Sequence, residues 1–405
     1  MKILITSQVY YPERFSVNEV AEGLLRLGHE VEVITGKPNC GFDKKLDEYK
    51  NLKEETINGV KVHRVNLHAR KRGKLSIILN YLSFHRTSKR FVRHFKKDFD
   101  VVLSFSISPV ISIACANLYA KKHKVPHVLF CQDLWPESTV VTGAFKMNSL
   151  PYKILYKWSK ALYEKTDKII VSSPSFVDYF KNVLHVEKPF VYINQPILKS
   201  NRTEKPIEYK NKYNIVYAGN IGKIQLLDEL LDAMKILKGK DIMLHISGMG
   251  SELEHIKHRI EEEKLSDVVT YHGALPIEKA EAYFYNADAL VVSLSSKGSV
   301  GKTIPNKVNQ YMSYGRPILG VLTGDGKDLL SKANGSMFSS ENPQEIASII
   351  EKIVSLDEET KLEMGNNNKK YFDENLTATK ISYLIEEELI EAIKWVKDSP
   401  WLLNP

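Results

Sequence analysis

Short apolar runs alternate with amphipathic helical patterns along almost the whole chain, and the alternation starts afresh near its middle. The first apolar run is Ile3–Ile5, a helical pattern follows at 18–27, and a second apolar run lies at 31–34. Gly28 stands just after the helical pattern, where a left-handed residue closes many helices. A strand, a helix and a second strand in this order predict a βαβ unit, and therefore a parallel sheet.

The same pattern predicts most of the remaining strands. It places further strands of the first half at 60–65, 101–105, 128–130 and 168–172. In the second half, which restarts at Tyr213, it places strands at 242–247, 268–272 and 289–293 and helices at 226–237 and 277–285. We therefore expect two doubly wound, Rossmann-like α/β domains facing a central cleft, with ligand sites at the carboxyl ends of the strands.

A polar segment separates the two halves. Residues 195–212 carry two prolines and few apolar side chains, which is typical of a domain boundary. We predict an N-terminal domain at 1–200 and a C-terminal domain at 201–376, followed by a helical tail at 377–405. The length of 405 residues suits two domains of ordinary size.

Composition points to a protein of the reducing cytosol. The cysteines Cys40, Cys115 and Cys131 are scattered, with no CxxC spacing, so neither a disulfide framework nor a zinc site is expected. The first twelve residues lack the apolar core of a signal peptide and instead resemble a strand. The uncharged stretch 101–120 is long enough to cross a bilayer, but its serines, Pro109 and period-two start favour a buried strand, a turn and a packed helix.

Charge is distributed unevenly between the halves. Residues 1–200 hold 32 Lys and Arg against 18 Asp and Glu, whereas 201–405 hold 25 against 31. The first half is therefore strongly basic and the second is acidic. Opposite signs suggest that the two halves face different partners.

The segment 69–97 concentrates the positive charge. It holds ten Lys and Arg, no acidic residue, and interleaved apolar side chains. A basic amphipathic surface of this kind docks on anionic lipid. The alternative is an ordinary solvated helix face; nucleic acid is not expected, because no recognised binding motif accompanies the charge. The predicted membrane contacts are Arg70, Lys71, Arg72, Lys74, Arg86, Lys89, Arg90 and Arg93.

The segment 302–320 is the most informative part of the chain. It reads as a loop, a helix with Val308 and Met312 on one face, a Gly-Arg-Pro stop and an apolar strand. Pro305 is placed near the helix start, where free N–H groups and the helix dipole attract anions. Lys307 adds a point charge in the first turn, so the segment is a candidate phosphate site.

Several motifs together resemble family 4 of the retaining GT-B glycosyltransferases. In the second half these are the segments 217–223, 247–252, 271–276, 286–289 and 302–320. In the first half, the segments 10–18 and 131–138 are similar to a subgroup that acts on deoxy-amino sugars in capsule and O-antigen synthesis, notably N-acetylfucosamine transferases. The resemblance covers most of the chain.

The resemblance implies both a fold and a reaction. GT-B proteins send a C-terminal helix back to the first domain, so 377–405 is expected there. The implied reaction moves a sugar from a UDP donor, with retention and without a metal ion or cofactor, to a polyprenyl-diphosphate-linked saccharide. The protein would then work in the cytoplasm, at the inner face of the plasma membrane.

The resemblance places donor binding in the second half. The diphosphate would meet the amides of 219–222, the helix start at 303–306, and Lys223 or Lys307. The full predicted donor set is Gly219, Asn220, Gly222, Lys223, Gln225, Gly248, Gly250, Gly273, Ala274, Leu275, Lys302, Thr303, Ile304, Pro305, Asn306, Lys307 and Gln310.

The chain departs from the family pattern at several of these positions. The family has two glutamates separated by seven residues, and here Lys302 and Gln310 stand at those places. A glutamine still hydrogen-bonds a ribose hydroxyl, because it both donates and accepts. Asn220 and Gln225 stand where an arginine and a lysine commonly bind the diphosphate.

The candidate catalytic residues, Asp133 and Glu137, lie in the first half. Asp133 either orients and deprotonates the acceptor hydroxyl or caps the turn that follows it. Glu137 is a second carboxylate of the same loop, ranked below Asp133. The predicted acceptor-side residues are Tyr11, Glu13, Ser16, Asn18 and Gln132, of which Glu13 and Asn18 are equally candidates for helix capping.

Three other functions have to be weighed. A sugar-nucleotide epimerase of the same fold does not need a lipid-facing basic patch. A nicotinamide oxidoreductase needs an intact glycine fingerprint, whereas Leu253 replaces the third glycine of the 248–253 turn. A non-catalytic membrane-binding module leaves the second half unexplained. The Asp98-Phe99-Asp100 triplet spells a metal-binding DxD but precedes a strand, so no metal site is expected from it.

Overall fold

The chain forms two compact α/β units. The structure, a computed structural model, describes residues 1–38, 47–70, 73–141, 143–198, 204–298 and 300–398. Unit 1 comprises Met1–Leu198 together with the helix Ala378–Asp398, and unit 2 comprises Lys199–Thr377. The sequence predicted these two domain boundaries after residues 200 and 376, and the structure divides the chain after residues 198 and 377.

Unit 1 is built on an eight-stranded sheet. Its strands are β1 Lys2–Thr6, β2 Glu30–Gly36, β3 Glu54–Ile57, β4 Val60–Val65, β5 Val101–Ser106, β6 His127–Cys131, β7 Lys168–Val171 and β8 Phe190–Tyr192. Its helices are α1 Ser16–Arg26, α2 Lys74–His94, α3 Ala114–His123, α4 Glu137–Val141, α5 Leu150–Tyr163 and α6 Phe176–Asp178, which continues as a π-turn at Tyr179–Val183.

The strand order of this sheet is β3-β4-β2-β1-β5-β6-β7-β8, and every pair except β3–β4 is parallel. The order reverses between β1 and β5, which makes their carboxyl ends the switch point where doubly wound folds bind ligands. Alternate residues of each strand face opposite layers. Ile3 and Ile5 pack towards α1, whereas Leu4 packs towards α2 and α3.

Unit 2 is built on a six-stranded sheet. Its strands are β9 Tyr213–Ala218, β10 Ile242–Ser247, β11 Val269–Tyr271, β12 Ala289–Ser293, β13 Ile318–Val321 and β14 Ser336–Phe338. Its helices are α7 Leu227–Ile236, α8 Leu253–Glu262, α9 Ile277–Phe284, α10 Asn306–Met312, α11 Gly324–Ala333, α12 Pro343–Ser355 and α13 Glu358–Asn375.

All pairs in the second sheet are parallel, in the order β11-β10-β9-β12-β13-β14. Its switch point lies between β9 and β12. The apolar side chains of β9, β10 and β12 are buried on both faces, as expected for a sheet covered by helices on two sides. The prediction of two doubly wound α/β domains is confirmed.

The last helix, α14 Ala378–Asp398, packs in unit 1. Ile381, Ile385 and Leu389 follow the helical period of i, i+4 and i+8 and are buried in the same core as Ile3 and Val20. His29 also bonds Glu386 of this helix across 2.6 Å. Residues 378–398 thus belong to unit 1, where a returning C-terminal helix was predicted. Residues 399–405 lie outside the described part of the chain.

The uncharged stretch 101–120 does not form a single helix. It becomes β5, a 3₁₀ turn at Val110–Ile113 and the start of α3. Among the described residues, no helix combines the length and the apolar composition needed to cross a bilayer. The strand–turn–helix reading of this stretch is confirmed.

Candidate functional site

Three loops interlock at the carboxyl ends of β9, β10 and β11. The N–H of Gly219 donates to the carbonyl of Ser247 at 2.8 Å, and the N–H of Ile221 donates to the carbonyl of Met249 at 2.8 Å. Each of these amides thus donates a hydrogen bond from one loop to another. The prediction that the whole 219–222 run offers its amides to a diphosphate is therefore wrong for these two residues.

The loops approach one another so closely that two positions require glycine. A Cβ on Gly248 would lie 1.7 Å from the carbonyl oxygen of Gly219. Gly219 itself has a φ of +137°, and a Cβ there would lie 2.4 Å from Cε of Lys307. Side chains at these positions would displace both the loop backbone and the lysine, so the glycines set the shape of this edge.

Helix α10 carries Lys307 onto the same edge. It begins at Asn306, directly after Pro305, as predicted. The Tyr311 hydroxyl accepts from the N–H of Ala218 at 2.8 Å and donates to its carbonyl at 3.1 Å, which ties α10 to the end of β9. Tyr311 is fully buried, so this bridge fixes where the first turn of α10 lies.

Lys307 is enclosed without a hydrogen-bond partner. Its Nζ is buried, forms no hydrogen bond within the described part of the chain, and lies 3.5 Å from the centroid of the Tyr217 ring. Burial alone lowers the pKa of Lys307 well below its usual range. In its protonated form, Lys307 would gain a cation–π contact with this ring, which offsets part of the desolvation, but the ammonium would still have three donors to place.

The neighbouring polar residues of the β9 loop are bonded to each other. Asn220 Nδ2 donates to Gln225 Oε1 at 2.9 Å. Ser293, at the end of β12, donates its hydroxyl to the carbonyl of Gln225 at 2.6 Å, so the loop is anchored across the switch point. Lys223 is exposed and lies in a 3₁₀ turn at Lys223–Gln225. The lysine that lies within this edge is thus Lys307 and not Lys223.

The other predicted donor residues differ in burial. Gly222 and Ile304 are buried; Gly273, Leu275, Thr303, Pro305 and Gln310 are half-buried; Gly250, Ala274, Lys302 and Asn306 are exposed. Sequence reasoning missed Tyr217 and Tyr311. Both lie in motif segments of the sequence (217–223 and 302–320), but tyrosines in a strand and a helix are typical core residues, so neither was predicted as a site residue.

In unit 1 the loop after β1 is held by side chains on three sides. The Tyr11 hydroxyl donates to Glu22 at 2.7 Å, and the Arg64 guanidinium donates to the carbonyl of Tyr11. Asn18 accepts from the N–H of Phe15 at 2.7 Å, which is the helix-capping role weighed for it. Glu13 is buried in the same loop.

The loop after β6 carries Asp133. Gln132 donates from Nε2 to the hydroxyl of Ser16, which joins this loop to the start of α1. Burial raises the pKa of Asp133 to about 7, although hydrogen bonds from Ser138 and Leu134 oppose the rise. A carboxyl group with this pKa exchanges protons near neutral pH, as a general base must.

Glu137 is used differently from Asp133. It is buried, and its two carboxylate oxygens accept from the hydroxyls of Tyr152 on α5 and Tyr179 on the π-turn. Burial raises its pKa, and the bond from Tyr152 opposes that rise. Glu137 thus joins α4, α5 and the π-turn, and the geometry gives it a positioning role beside Asp133.

The Asp98-Phe99-Asp100 triplet is engaged within the fold. Asp100 accepts from the N–H of Lys2 at 2.6 Å, and Asp98 pairs with His123 at 3.2 Å. No group of three His, Cys, Asp or Glu side chains arranged to hold a metal ion occurs among the described residues.

Most of the basic segment 69–97 forms helix α2. The exposed face of α2 is apolar in its first half and basic in its second half. Leu75, with 70% of its surface exposed, together with Ile78, Leu79 and Leu82, forms an exposed apolar stripe. Arg86, Arg90 and Arg93 continue the same face and are exposed, with Lys89 half-buried beside them. Arg70 lies over the Tyr81 ring at 6.0 Å. Lys71, Arg72 and the side chain of Lys74 lie outside the described residues.

Helix α5 presents a second surface of the same kind, which the sequence analysis missed. Leu150 and Ile154 expose 72% and 58% of their surfaces, and Met147 is exposed just before the helix. Residues 138–163 contain four lysines and no acid. The His85 ring of α2 packs on the Trp158 ring of α5 with centroids 5.7 Å apart, so the two helices are neighbours.

Comparison with known families assigns both units. Residues 199–371 match the family of glycosyl transferases group 1, and residues 15–197 match glycosyltransferase family 4. The chain therefore carries the two domains of a GT-B glycosyltransferase. One relative of these domains is the probable glycosyltransferase WbjE of Pseudomonas aeruginosa, 24% identical over 232 residues. That match covers 55% of this chain and 57% of the relative.

Three solved structures with the same fold are each less than 15% identical to this chain. Sucrose-phosphate synthase from Thermosynechococcus elongatus has a TM-score of 0.74 and 14% identity, over 96% of this chain and 98% of that one. HepE of Anabaena, solved with UDP and glucose, has a TM-score of 0.66 and 12% identity, over 96% and 99%. An Escherichia coli trehalose-6-phosphate protein bound to UDP-2-fluoro glucose has a TM-score of 0.72 and 11% identity, over 96% and 99%. At these identities the likeness supports the GT-B fold.

Proposed function

We propose that the protein transfers a sugar from a UDP donor to a polyprenyl-diphosphate-linked saccharide, with retention, in capsule or O-antigen synthesis. The sugar is a deoxy-amino sugar such as N-acetylfucosamine. The observation that carries the proposal is Lys307, whose buried amino group has no hydrogen-bond partner among the described residues and lies beside the glycine loops of the β9/β12 switch point. A buried unpaired charge is unfavourable, and a diphosphate at this edge supplies the missing acceptors.

Two of the solved relatives support the choice of donor. HepE was solved with UDP, and the Escherichia coli protein with a UDP-sugar. WbjE, named only as a probable glycosyltransferase, supports the reaction class and leaves the sugar open.

In the proposed reaction, the bond between the anomeric carbon and the β-phosphate oxygen breaks, and a bond from the acceptor oxygen to the same carbon forms. UDP leaves with additional negative charge, which Lys307 stabilises. The acceptor hydroxyl loses its proton to the Asp133 carboxylate, and Glu137 holds the Asp133 loop through Tyr152 and Tyr179. The step requires no metal ion, because the ammonium provides the positive charge that the leaving group needs.

The test is a transfer assay with purified protein, a panel of UDP- and GDP-sugars and a synthetic polyprenyl-diphosphate disaccharide, each with and without EDTA. Extension of the lipid by one sugar from a UDP donor, unaffected by EDTA, is expected. Conversion of the UDP-sugar to its epimer without any lipid acceptor would replace the proposal with an epimerase. Thermal stabilisation by NADH alone would overturn it altogether.

We further propose that α2 and α5 dock the protein on an anionic membrane. The apolar stripe of α2 enters the headgroup region, and the arginines that continue its face contact lipid phosphates, with each near-surface charge contributing about 1 kcal/mol. The same pairing of exposed apolar and basic residues on α5 supports this partner over an ordinary solvated surface.

Vesicle pelleting tests the docking. Vesicles containing phosphatidylserine are expected to pellet the protein, less so at high salt, and neutral phosphatidylcholine vesicles much less. Serine at Leu75, Ile78 and Leu82 should reduce pelleting, and so should serine at Arg86, Arg90 and Arg93. Leu362→Ser, an exposed leucine of unit 2, serves as the control. Unchanged pelleting in both triple variants would refute the surface, and retention by RNA instead of vesicles would reassign it.

A further inference from the structure

Two histidine rings from neighbouring strands of unit 2 share a hydrogen bond. His245 lies on β10 and is buried, and His272 directly follows β11 and is half-buried. Nδ1 of His245 is 2.9 Å from Nε2 of His272, and 16° separates the two ring planes. Between two neutral imidazoles, such a bond needs a proton on one of the facing nitrogens and none on the other.

The direction of this bond follows from the residues at the start of β9. Asn214 Nδ2 donates to the carbonyl of Asn211 at 2.9 Å, so its Oδ1 faces Nε2 of His245 at 3.0 Å as an acceptor. His245 must therefore carry its proton on Nε2, which leaves Nδ1 bare to accept from His272. Nδ1 of His272 is then bare as well, and it accepts from the Tyr283 hydroxyl at 3.2 Å. One arrangement of protons, with both imidazoles neutral, thus satisfies the chain from Tyr283 to Asn211.

The segment just before β9 contacts this chain. The Tyr209 hydroxyl donates to the carbonyl of Tyr283, and the Tyr209 ring packs on His245 with centroids 4.7 Å apart. The N–H of Ile207 donates to the carbonyl of Ala282 on α9 at 2.9 Å. The histidine pair therefore lies against the segment that joins the two units in sequence.

The other end of the chain reaches the loops of the candidate site. His272 directly precedes Gly273, whose carbonyl accepts from the N–H of Gly248 at 3.0 Å and from the Ser247 hydroxyl at 3.0 Å. The same chain therefore connects the segment before β9 with the loops at the carboxyl ends of β10 and β11.

A second proton on either imidazole disrupts the arrangement. On His245 it would occupy Nδ1 and face the N–H of His272, so that two donors would meet. On His272 it would occupy Nδ1 and require the Tyr283 hydroxyl to reverse. In both cases a charged ring would replace a neutral one in a partly dehydrated position, which is unfavourable.

The surroundings keep both rings neutral. The side chains packed on them are those of Tyr209 and Tyr283. The charged groups that act on Tyr209 are Asp288 and Arg316, which are of opposite sign. Burial lowers the pKa of both histidines, and the pKa of His245 falls to about 4.

We propose that the chain from Tyr283 to Asn211 is an acid-sensitive latch, which holds the segment before β9 on unit 2 while both histidines are neutral and releases it when they are protonated. In the open latch His245 takes up a proton below its usual pKa of 6.5, whereas the closed latch prevents this down to about pH 4. Between these values opening takes up a proton, so the opening constant should rise by up to about tenfold for each unit by which the pH falls. The latch needs no nucleotide and is independent of the proposed function.

Nitrogen NMR of the imidazoles tests the arrangement of protons. At pH 7.5, His245 and His272 should both be neutral and carry their proton on Nε2. Their signals are assigned by their loss in His245→Gln and in His272→Gln. A proton on Nδ1 of either ring at this pH would overturn the latch.

Hydrogen exchange between pH 7.5 and 5, corrected for the intrinsic exchange rate, tests the release. Peptides covering 207–214 and 269–273 should lose protection as the pH falls below 6.5, whereas β12 and β13 should keep theirs. His245→Gln can still donate to Asn214 but cannot take up a proton, so its protection should start lower and fall less steeply with pH. His258→Gln, at an exposed histidine of α8, is the matched control and should behave as the wild type.

Three results would refute the latch: constant protection of 207–214 down to pH 5, an equally steep loss in His245→Gln, or an equal loss in β12 and β13, which would indicate unfolding of the whole unit. Calorimetry with UDP at pH 7.5 tests the proposed function separately. Absence of UDP binding there would count against the proposed function and would leave the exchange results unaffected.

Discussion

The two α/β units bury charged side chains near the carboxyl ends of their strands and treat them in opposite ways. In unit 2, the amino group of Lys307 is buried and has no hydrogen-bond partner in the part of the chain that the structure describes. In unit 1, Glu137 accepts from two tyrosine hydroxyls. Burying a charge is unfavourable unless it is paired, so we expect the paired Glu137 to stabilise the fold and the unpaired Lys307 to bind a ligand.

Asp133 lies between these extremes. Burial raises the pKa of its carboxyl group to about 7, and the neighbouring Ser138 and Leu134 oppose that rise. Asp133 lies in the loop after β6 and Glu137 begins helix α4 four residues later, and their surroundings differ. Under the proposed function, the comparison predicts binding for Lys307, proton transfer for Asp133 and positioning for Glu137.

The largest expected effect comes from removing the proton acceptor. Asp133→Asn should lower the turnover number by about 10²- to 10⁴-fold, the range for loss of a general base. In the wild type, turnover should rise with pH through about 7, because only the deprotonated carboxylate accepts a proton; the variant should lose that limb. Steady-state kinetics between pH 5 and 9 measure both effects. Asp98→Asn, an exposed aspartate of the same unit, should leave the profile unchanged.

The next effect concerns the unpaired charge. Lys307→Met should weaken UDP binding by about 10- to 100-fold, since it removes charge-assisted hydrogen bonds to the diphosphate. It should not lower the free energy of unfolding, because an apolar side chain replaces a buried charge. Calorimetry and urea denaturation measure the two quantities. Lys332→Met, at an exposed lysine of α11, is the control. A destabilised variant with intact UDP affinity would make Lys307 structural.

Glu137, whose charge is paired, should affect the stability of the fold and leave ligand binding unchanged. Glu137→Gln exchanges an acceptor for a group that cannot accept twice from Tyr152 and Tyr179, so the free energy of unfolding should fall by about 1–3 kcal/mol. The affinity for UDP should not change, because Glu137 lies in the other unit. Glu187→Gln, at an exposed glutamate of unit 1, should alter neither quantity. Weaker UDP binding by Glu137→Gln would contradict the division of roles.

The smallest effect is the pH dependence of donor binding. Burial holds the pKa of Lys307 low in the free protein, and a diphosphate raises it in the complex. Between the two pKa values, binding takes up a proton, so affinity falls as pH rises, by less than tenfold per pH unit. Calorimetry in buffers of different ionisation enthalpy measures the uptake. Lys307→Met should show none, and equal uptake by that variant would point to another group.

Part of this contrast was visible in the sequence. The period-3.6 pattern after Pro305 and the Gly-Arg-Pro stop were enough to place α10, and Lys307 within its first turn, because proline and glycine act locally. Asp133 and Glu137 were likewise found from the loop that carries them. The strands β3, β8 and β14 were missed, because they are three or four residues long and edge strands carry a weak apolar pattern.

The sequence did not show which charged side chain would be buried without a partner. Lys223 and Lys307 were equivalent candidates in the sequence, and Glu137 was a candidate catalytic carboxylate ranked below Asp133. The bridge from Tyr311 to Ala218 draws Lys307 inward, while Lys223 stays in water. The tyrosines that engage Glu137 come from α5 and the π-turn, 15 and 42 residues along the chain.

The sequence by itself determined the two α/β units, the order of most of their elements and the loops that carry the candidate chemistry. Those features depend on local conformational preference and on apolar periodicity, which act over a few residues. The tertiary structure alone decided which charged groups are paired, because pairing depends on side chains that are distant in the chain and meet only when the sheets and helices pack.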